Sequence, residues 1–191
     1  MNLSTQKVNV NRNSGRKNRP NIYKMTLFAM FAALMLASKV LMEVLPNIHP
    51  LGMFIMALTA TYRKKALIPI YIYVFLNGLI AGFAMWWIPY LYIWTVLWGI
   101  TMLIPKGISK KSKAIVYPVI NALFGLLFGI LYAPAQALMF NLSFRQMIAW
   151  IAAGLSFDAI HAAGNLAIGF LVLPISELLN KLENITLRGR T

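Results

Sequence analysis

The sequence contains no cysteine, and only four of its 191 residues are acidic. Without cysteine the chain forms no disulfide, no thiolate metal site and no cysteine nucleophile. Charged residues of both signs make up 12% of the chain, about half the share that is usual in a soluble domain. These shortages exclude a disulfide-stabilised fold and argue against an ordinary soluble protein.

Sequence motifs for nucleotide binding and hydrolysis are also missing. The chain has no GxxxxGK phosphate loop, no HExxH zinc motif and no GxSxG nucleophile motif. It therefore has no means of hydrolysing ATP by itself. Two histidines and four carboxylates give no ligand set at metal-site spacing, so we predict no metal site and no cofactor.

Long apolar segments are what the sequence does contain, since 60% of its residues are hydrophobic. We predict an all-α membrane protein with six transmembrane helices, at 25–45, 51–62, 66–84, 88–104, 114–132 and 147–174. The predicted domains are a disordered basic arm on the cytoplasmic side (1–24), a six-helix transmembrane domain (25–180) and a cytoplasmic tail (181–191).

The positive charges are distributed unevenly along the chain. Six spans place the N-terminal arm, the 63–65 and 106–113 loops and the C-terminal tail on one side of the membrane. Those four segments hold 16 of the 18 lysines and arginines, and only Lys39 and Arg145 lie elsewhere. Because basic loops remain in the cytoplasm, this distribution predicts that both termini are inside. The net charge of +14 then reflects the orientation of the chain in the membrane, and nucleic acid is not an expected partner.

The first apolar run contains three alanines spaced four residues apart, at Ala29, Ala33 and Ala37. At a period of 3.6 residues they form one small-residue stripe, which lets another helix approach closely. Lys39 and Glu43 follow on the same helix at i,i+4 spacing. Glu43 either faces a pocket or simply pairs with Lys39 at the outer interface.

The second apolar run, 51–62, has only 12 residues and would cover about 18 Å of a hydrocarbon core about 30 Å thick. It can still cross if the preceding loop, Pro46 to Pro50, dips into the bilayer. Irregular backbone at that depth must be buried in protein or line a cavity, so the loop would form part of a pocket wall. The alternative is a longer, tilted helix pair with the loop outside.

The sixth span contains FDAIHAAGN at 157–165, in which Asp158, His161 and Asn165 share one helix face. Polar groups on one face of a membrane helix point into the bundle, where they bind a ligand, coordinate a metal or tie helices together by hydrogen bonds. Aromatic residues elsewhere either anchor the chain at the interface or line a ligand site. The candidate ligand-contacting residues are Glu43, Asn47, His49, Asn77, Trp86, Trp87, Tyr90, Tyr132, Gln136, Asp158, His161 and Asn165.

In combination, these features resemble the substrate-binding S component of energy-coupling factor (ECF) transporters, a type of ABC transporter. The resemblance rests on the alanine stripe, on SKVLMEVLPNIHPLGM at 38–53 and on FDAIHAAGN, and it extends over residues 25–180. The stripe is a common membrane pattern, whereas the two phrases in this order on a six-helix chain are more specific.

The resemblance implies a subunit for vitamin uptake in a prokaryotic cell membrane, without enzymatic activity. Such a subunit captures a vitamin at the outer face and works with a transmembrane coupling subunit and two cytoplasmic ATPase subunits. Ala29, Ala33 and Ala37 match the family's docking surface for the coupling subunit, and the loop after the first helix matches its substrate gate. The chain is most similar to the S components assigned to cobalamin.

Two other functions remain open at this stage. One is a small intramembrane enzyme that acts on a lipid or isoprenoid substrate through Asp158, His161 and Glu43. The other is a membrane scaffold without a ligand. The missing catalytic motifs argue against the enzyme, and the inward polar face of the sixth span argues against the scaffold.

Overall fold

A computed structural model of the chain describes residues 22–44 and 48–188. Within those ranges all regular structure is helical and no strand occurs, which confirms the all-α prediction. The α-helices are α1 (Ile22–Leu41), α2 (Leu51–Tyr62), α3 (Leu67–Ala81), α4 (Tyr90–Leu103), α5 (Lys110–Leu126), α6 (Phe128–Met139), α7 (Phe144–Gly169) and α8 (Val172–Arg188). Short 3-10 turns, Arg63–Ala66 and Met85–Trp87, precede α3 and α4.

Four helical stretches in the described part are long and apolar enough to cross a membrane: Ile22–Leu41, Leu51–Ala81, Lys110–Met139 and Phe144–Gly169. They confirm the prediction of a helical membrane protein. Helix α4 has only 14 residues and is about 21 Å long, shorter than the hydrocarbon core. The number of crossings therefore stays a prediction.

Local chemistry explains where several helices begin. Pro50 and Pro89 stand directly before α2 and α4, where a missing N–H leaves no helical hydrogen bond unmade. Ser143 starts α7 with a capping box, in which its hydroxyl accepts from the Gln146 N–H and the Gln146 side chain accepts from the Ser143 N–H. Ser109 caps α5 by accepting from the Ser112 N–H.

The helix boundaries differ from the predicted spans in the second half of the chain. The predicted span 114–132 is divided into α5 and α6 at Leu127, and the span 147–174 ends earlier, at Gly169. Helix α6 ends because Asn141 adopts a positive φ of 50°, which lets the Leu142 N–H bond the Ala137 carbonyl. The predicted boundary at residue 180, between the transmembrane domain and the tail, falls inside α8, and this division stays a prediction.

Helix α2 is the centre of the bundle. Its residues from Leu51 to Thr59 are all buried, and it packs against α1, α4, α5, α7 and α8. None of its 12 residues is charged, as expected of a helix that is apolar on every side. Neighbouring helices therefore shield this short segment, whichever depth it occupies.

Contacts at Arg63 join the turn before α3 to the end of α4. Arg63 has a φ of 53°, its guanidinium donates to the Met102 carbonyl at 2.6 Å, and its own carbonyl accepts from the Trp98 indole. At the other end of α3, the Trp87 indole donates to the Val74 carbonyl. Helices α3 and α4 are therefore antiparallel, with Arg63 beside the last turn of α4.

The basic segments meet at this same end of the bundle. Lys24 at the start of α1 forms an ion pair with Glu183 of α8, and Lys110 at the start of α5 forms one with Glu177 at 2.8 Å. We call this region, comprising Lys24, 63–65, 106–113 and α8, the basic end. The described members of the segments predicted to be cytoplasmic are thus spatial neighbours.

Candidate functional site

The polar face of α7 points into the protein, as its spacing predicts. Asp158, His161 and Asn165 are 7%, 4% and 2% exposed. Helix α7 runs antiparallel to α5 and α6 and packs against both. Asp158, His161 and Asn165 therefore each lie beside a different part of those two helices. Their partners show that they have different roles.

Asp158 binds the start of α6. Both of its carboxylate oxygens accept from the Gly129 N–H at 3.2 Å. Gly129 lies in the first turn of α6, where helix N–H groups lack intrahelical partners and the helix dipole favours an anion. A side chain at Gly129 would overlap the carboxylate, so the glycine is needed for this close approach. Asp158 therefore ties α6 to α7.

Asn165 ties α5 to α7 through a reciprocal pair of hydrogen bonds. The Asn121 amide donates to the Asn165 carbonyl at 2.8 Å, and the Asn165 amide donates to the Asn121 carbonyl at 3.1 Å. Both residues are buried. Asn121 was not among the predicted site residues, although a lone asparagine within an apolar helix is the signal that would have found it.

His161 instead contacts the loop that follows α1. Its ring lies 5.0 Å from the His49 ring and 5.1 Å from the Phe128 ring, centroid to centroid. Ile48 packs beside Gly164, where an added side chain would press against it. Burial lowers the pKa of His49, so this imidazole is neutral at pH 7. Asn47, also predicted for the site, lies outside the described residues.

A continuous set of ring contacts extends inward from the two histidines. We call it the aromatic cluster; its members are His49, Trp86, Tyr90, Trp94, Phe124, Phe128, Tyr132, Trp150 and His161. Neighbouring centroids are 5.0–6.2 Å apart. The cluster joins the loop after α1 to α4, α5, α6 and α7. Sequence reasoning did not select Phe128, because a buried phenylalanine and a lipid-facing one look alike in an apolar helix.

Tyr132 organises one edge of the cluster. Its ring stacks on Trp150 at 6.0 Å with an interplanar angle of 18°, and its hydroxyl donates to the Trp86 carbonyl at 3.0 Å. Trp87 joins the turn before α4 to α3, because its indole N–H donates to the Val74 carbonyl.

Four buried polar atoms in this region have no hydrogen-bond partner among the described residues: His49 Nδ1, Tyr73 Oη, Asn77 Nδ2 and Trp94 Nε1. Tyr73 and Asn77 are one turn apart on α3, and Tyr73 lies near Tyr90 of the cluster. A buried polar group without a partner costs about 1–3 kcal/mol. A ligand that bonded these atoms would recover that free energy.

Other predicted residues lie elsewhere. The Glu43 side chain is 62% exposed and pairs with Lys39 at 3.3 Å, which is the simpler of the two interpretations given for it. Gln136 is half-buried on α6. Within 22–44 and 48–188 no three His, Asp or Glu side chains are grouped closely enough to hold a metal ion.

The alanine stripe lies on the outer surface of α1, where Ala29, Ala33 and Ala37 are exposed. Ala33 and Ala37 line an apolar groove of about 650 Å³ between α1 and α8, whose far wall includes Ile175 and Leu178. None of the residues that line this groove belongs to the aromatic cluster.

A scan against protein-family models, a search of curated proteins and a search of solved structures all return no match to this chain. A function must therefore be argued from the geometry of the site and the residues that form it. A fold alone would not supply one, because unrelated functions share folds.

Proposed function

We propose that this chain is the substrate-binding membrane subunit of an ECF-type vitamin transporter. It captures a vitamin near the outer face and delivers it in complex with a transmembrane coupling subunit and two cytoplasmic ATPases. The observation that supports this best is the group of unpartnered buried donors around the aromatic cluster, at the end of the loop after α1.

The chemistry of the cluster favours a large, conjugated and nearly neutral ligand. Its rings offer stacking surfaces, and its free polar atoms are amide, indole, phenol and neutral imidazole groups. The unpartnered polar atoms themselves belong to uncharged groups. Cobalamin, with its broad corrin ring, is therefore the first vitamin to test.

The proposed arrangement in the membrane has six crossings, with the basic end in the cytoplasm. The ion pairs that join α1, α5 and α8 at the basic end support one shared side for these segments. The stripe would then meet the coupling subunit along α1, next to the groove with α8. The competing intramembrane enzyme has no comparable support, because Glu43 pairs with Lys39 and the Asp158 carboxylate is held by Gly129.

The direct test is to identify small molecules that co-purify with the protein by mass spectrometry and to measure a panel of vitamins in an ATP-free binding assay. We expect one vitamin to bind with a dissociation constant between about 1 nM and 1 μM, that is, about −12 to −8 kcal/mol. No product should form. Turnover of a lipid or isoprenoid that is lost in Asp158→Asn would instead establish the enzyme.

Tyr73→Phe should affect the free and ligand-bound protein in opposite directions. It removes a buried hydroxyl without a partner in the described structure, so the unliganded protein should become equally or more stable, by up to about 1 kcal/mol. Vitamin binding should weaken about fivefold to tenfold. Thermal unfolding and titration of the same samples measure both effects.

The matched control is Tyr71→Phe on the same helix. The Tyr71 hydroxyl is already bonded to the Leu91 carbonyl and to Thr95, so its loss should lower stability and leave the affinity unchanged. Unchanged affinity in Tyr73→Phe would show that this hydroxyl does not reach the ligand.

A further inference from the structure

A second, polar cavity lies at the basic end, away from the aromatic cluster. It has a volume of about 230 Å³ and is enclosed by the ends of α2 and α4, the start of α5 and one face of α8. Its larger polar side chains are those of Thr61, Arg63, Lys106, Lys113, Tyr117 and Asn180. In contrast to the groove beside α1, this cavity is lined mainly by polar atoms.

Three of its lining residues are cationic and none is acidic. Arg63 and the 106–113 segment, which holds Lys106 and Lys113, are more than 40 residues apart in sequence, so the fold brings them together. The ion pairs of the described chain all use other lysines: Lys24, Lys39 and Lys110. The three positive charges of the cavity therefore have no carboxylate partner in the part of the chain that the structure covers.

Two of the three cations in the cavity donate hydrogen bonds to backbone carbonyls, but these bonds use only some of their N–H groups. The Arg63 guanidinium donates to the Met102 carbonyl, and the Lys113 ammonium donates to the Lys106 carbonyl at 2.9 Å. Arginine has five N–H donors and lysine three, so most of them remain available. The carboxyl ends of α2 and α4 supply about half a negative charge each, against three full positive charges. About two net positive charges are left in the cavity.

We propose that this cavity binds a phosphate group, either in the headgroup of an anionic phospholipid or as free inorganic phosphate. A guanidinium and two ammonium groups line one small volume beside Tyr117, and charged N–H groups of this kind are the donors that phosphate oxygens bind. Basic pockets between membrane helices on the cytoplasmic side bind anionic headgroups in this way. The Thr61 hydroxyl already donates to the Ser176 carbonyl at 3.4 Å. The proposal does not depend on the vitamin or on the coupling subunit.

The test compares two double variants of the full-length protein. Lys106→Gln/Lys113→Gln removes two charges from the cavity. Lys64→Gln/Lys65→Gln removes two charges from exposed residues that directly follow Arg63 in sequence but do not line the cavity. Each protein is released from nanodiscs that contain phosphatidylglycerol and phosphatidylcholine, and retained lipids are counted by native mass spectrometry. Thermal unfolding in detergent is measured with inorganic phosphate and with sodium chloride at equal ionic strength.

We expect the wild type and the Lys64/Lys65 variant to retain phosphatidylglycerol, and the cavity variant to retain about tenfold less. That result supports a lipid ligand. A phosphate-specific rise in the unfolding midpoint that is absent from the cavity variant supports free phosphate. Equal retention by the two double variants, together with no phosphate-specific shift in any protein, would overturn the proposal. If the cavity variant folds poorly, Lys106→Gln and Lys64→Gln, both at exposed residues, make the same comparison.

Discussion

Ala33→Trp is expected to abolish vitamin uptake while leaving vitamin binding unchanged. Ala33 is exposed on α1 and lines the apolar groove, so a tryptophan there projects into the surface proposed for the coupling subunit. Overpacking of a close helix contact costs about 1–3 kcal/mol, and each 1.4 kcal/mol weakens association about tenfold. Uptake by cells that express the complete transporter should fall about tenfold or more, whereas the dissociation constant of the isolated subunit should stay within about threefold.

The matched control for this prediction is Ala159→Trp. Ala159 is an exposed alanine on α7, so the same substitution adds the same bulk on a different helix. Uptake should be nearly normal in this variant. Normal uptake by Ala33→Trp cells would show that the stripe does not dock a partner, and lost vitamin binding would place Ala33 in the ligand site instead.

Gly125→Leu is expected to cause the largest loss of stability. A Cβ atom at Gly125 would lie 3.0 Å from the backbone of Ala162 and 2.9 Å from the Asn165 amide nitrogen. A shift of α7 away from α5 would stretch the two hydrogen bonds that join Asn165 to Asn121. We expect a loss of about 3 kcal/mol, seen as a thermal midpoint lowered by roughly 6–12 °C and a reduced yield of monodisperse protein.

Gly154→Leu provides the control within α7, the helix that Gly125 contacts. Nothing lies within 4 Å of the position where its Cβ would be, and leucine is a better helix former than glycine. Its stability should equal or exceed that of the wild type. If Gly125→Leu unfolded at the same temperature as Gly154→Leu, the close contact between α5 and α7 would be disproved.

Asp158 and Asn165, both within FDAIHAAGN, illustrate what can be predicted from sequence alone. Spacing alone predicts that Asp158 and Asn165 face inward, because a helix places i and i+7 on one side. Spacing does not show whether they bind a ligand or tie helices. The structure shows each of them in hydrogen bonds between helices, with Gly129 and Asn121, which lie 29 and 44 residues away in sequence.

Glu43 and Tyr73 show the same limit in opposite ways. A carboxylate near the end of a membrane span is a reasonable site residue, yet Glu43 has Lys39 one turn away and remains exposed. Tyr73 looks like one of many interfacial aromatics, yet its hydroxyl is buried without a partner in the described chain. Whether a polar atom has a partner depends on the neighbouring helices and is not encoded in its own segment.

The sequence by itself determined the helical membrane character, the inward face of α7 and the segregation of positive charge. These properties follow from hydropathy and helical period, which act over a few neighbouring residues. Only the tertiary structure decided which helices approach at Gly125 and Gly129, which rings join into the aromatic cluster and which cations converge on the cavity at the basic end. Those outcomes depend on how helices far apart in sequence pack and align, which no local pattern specifies.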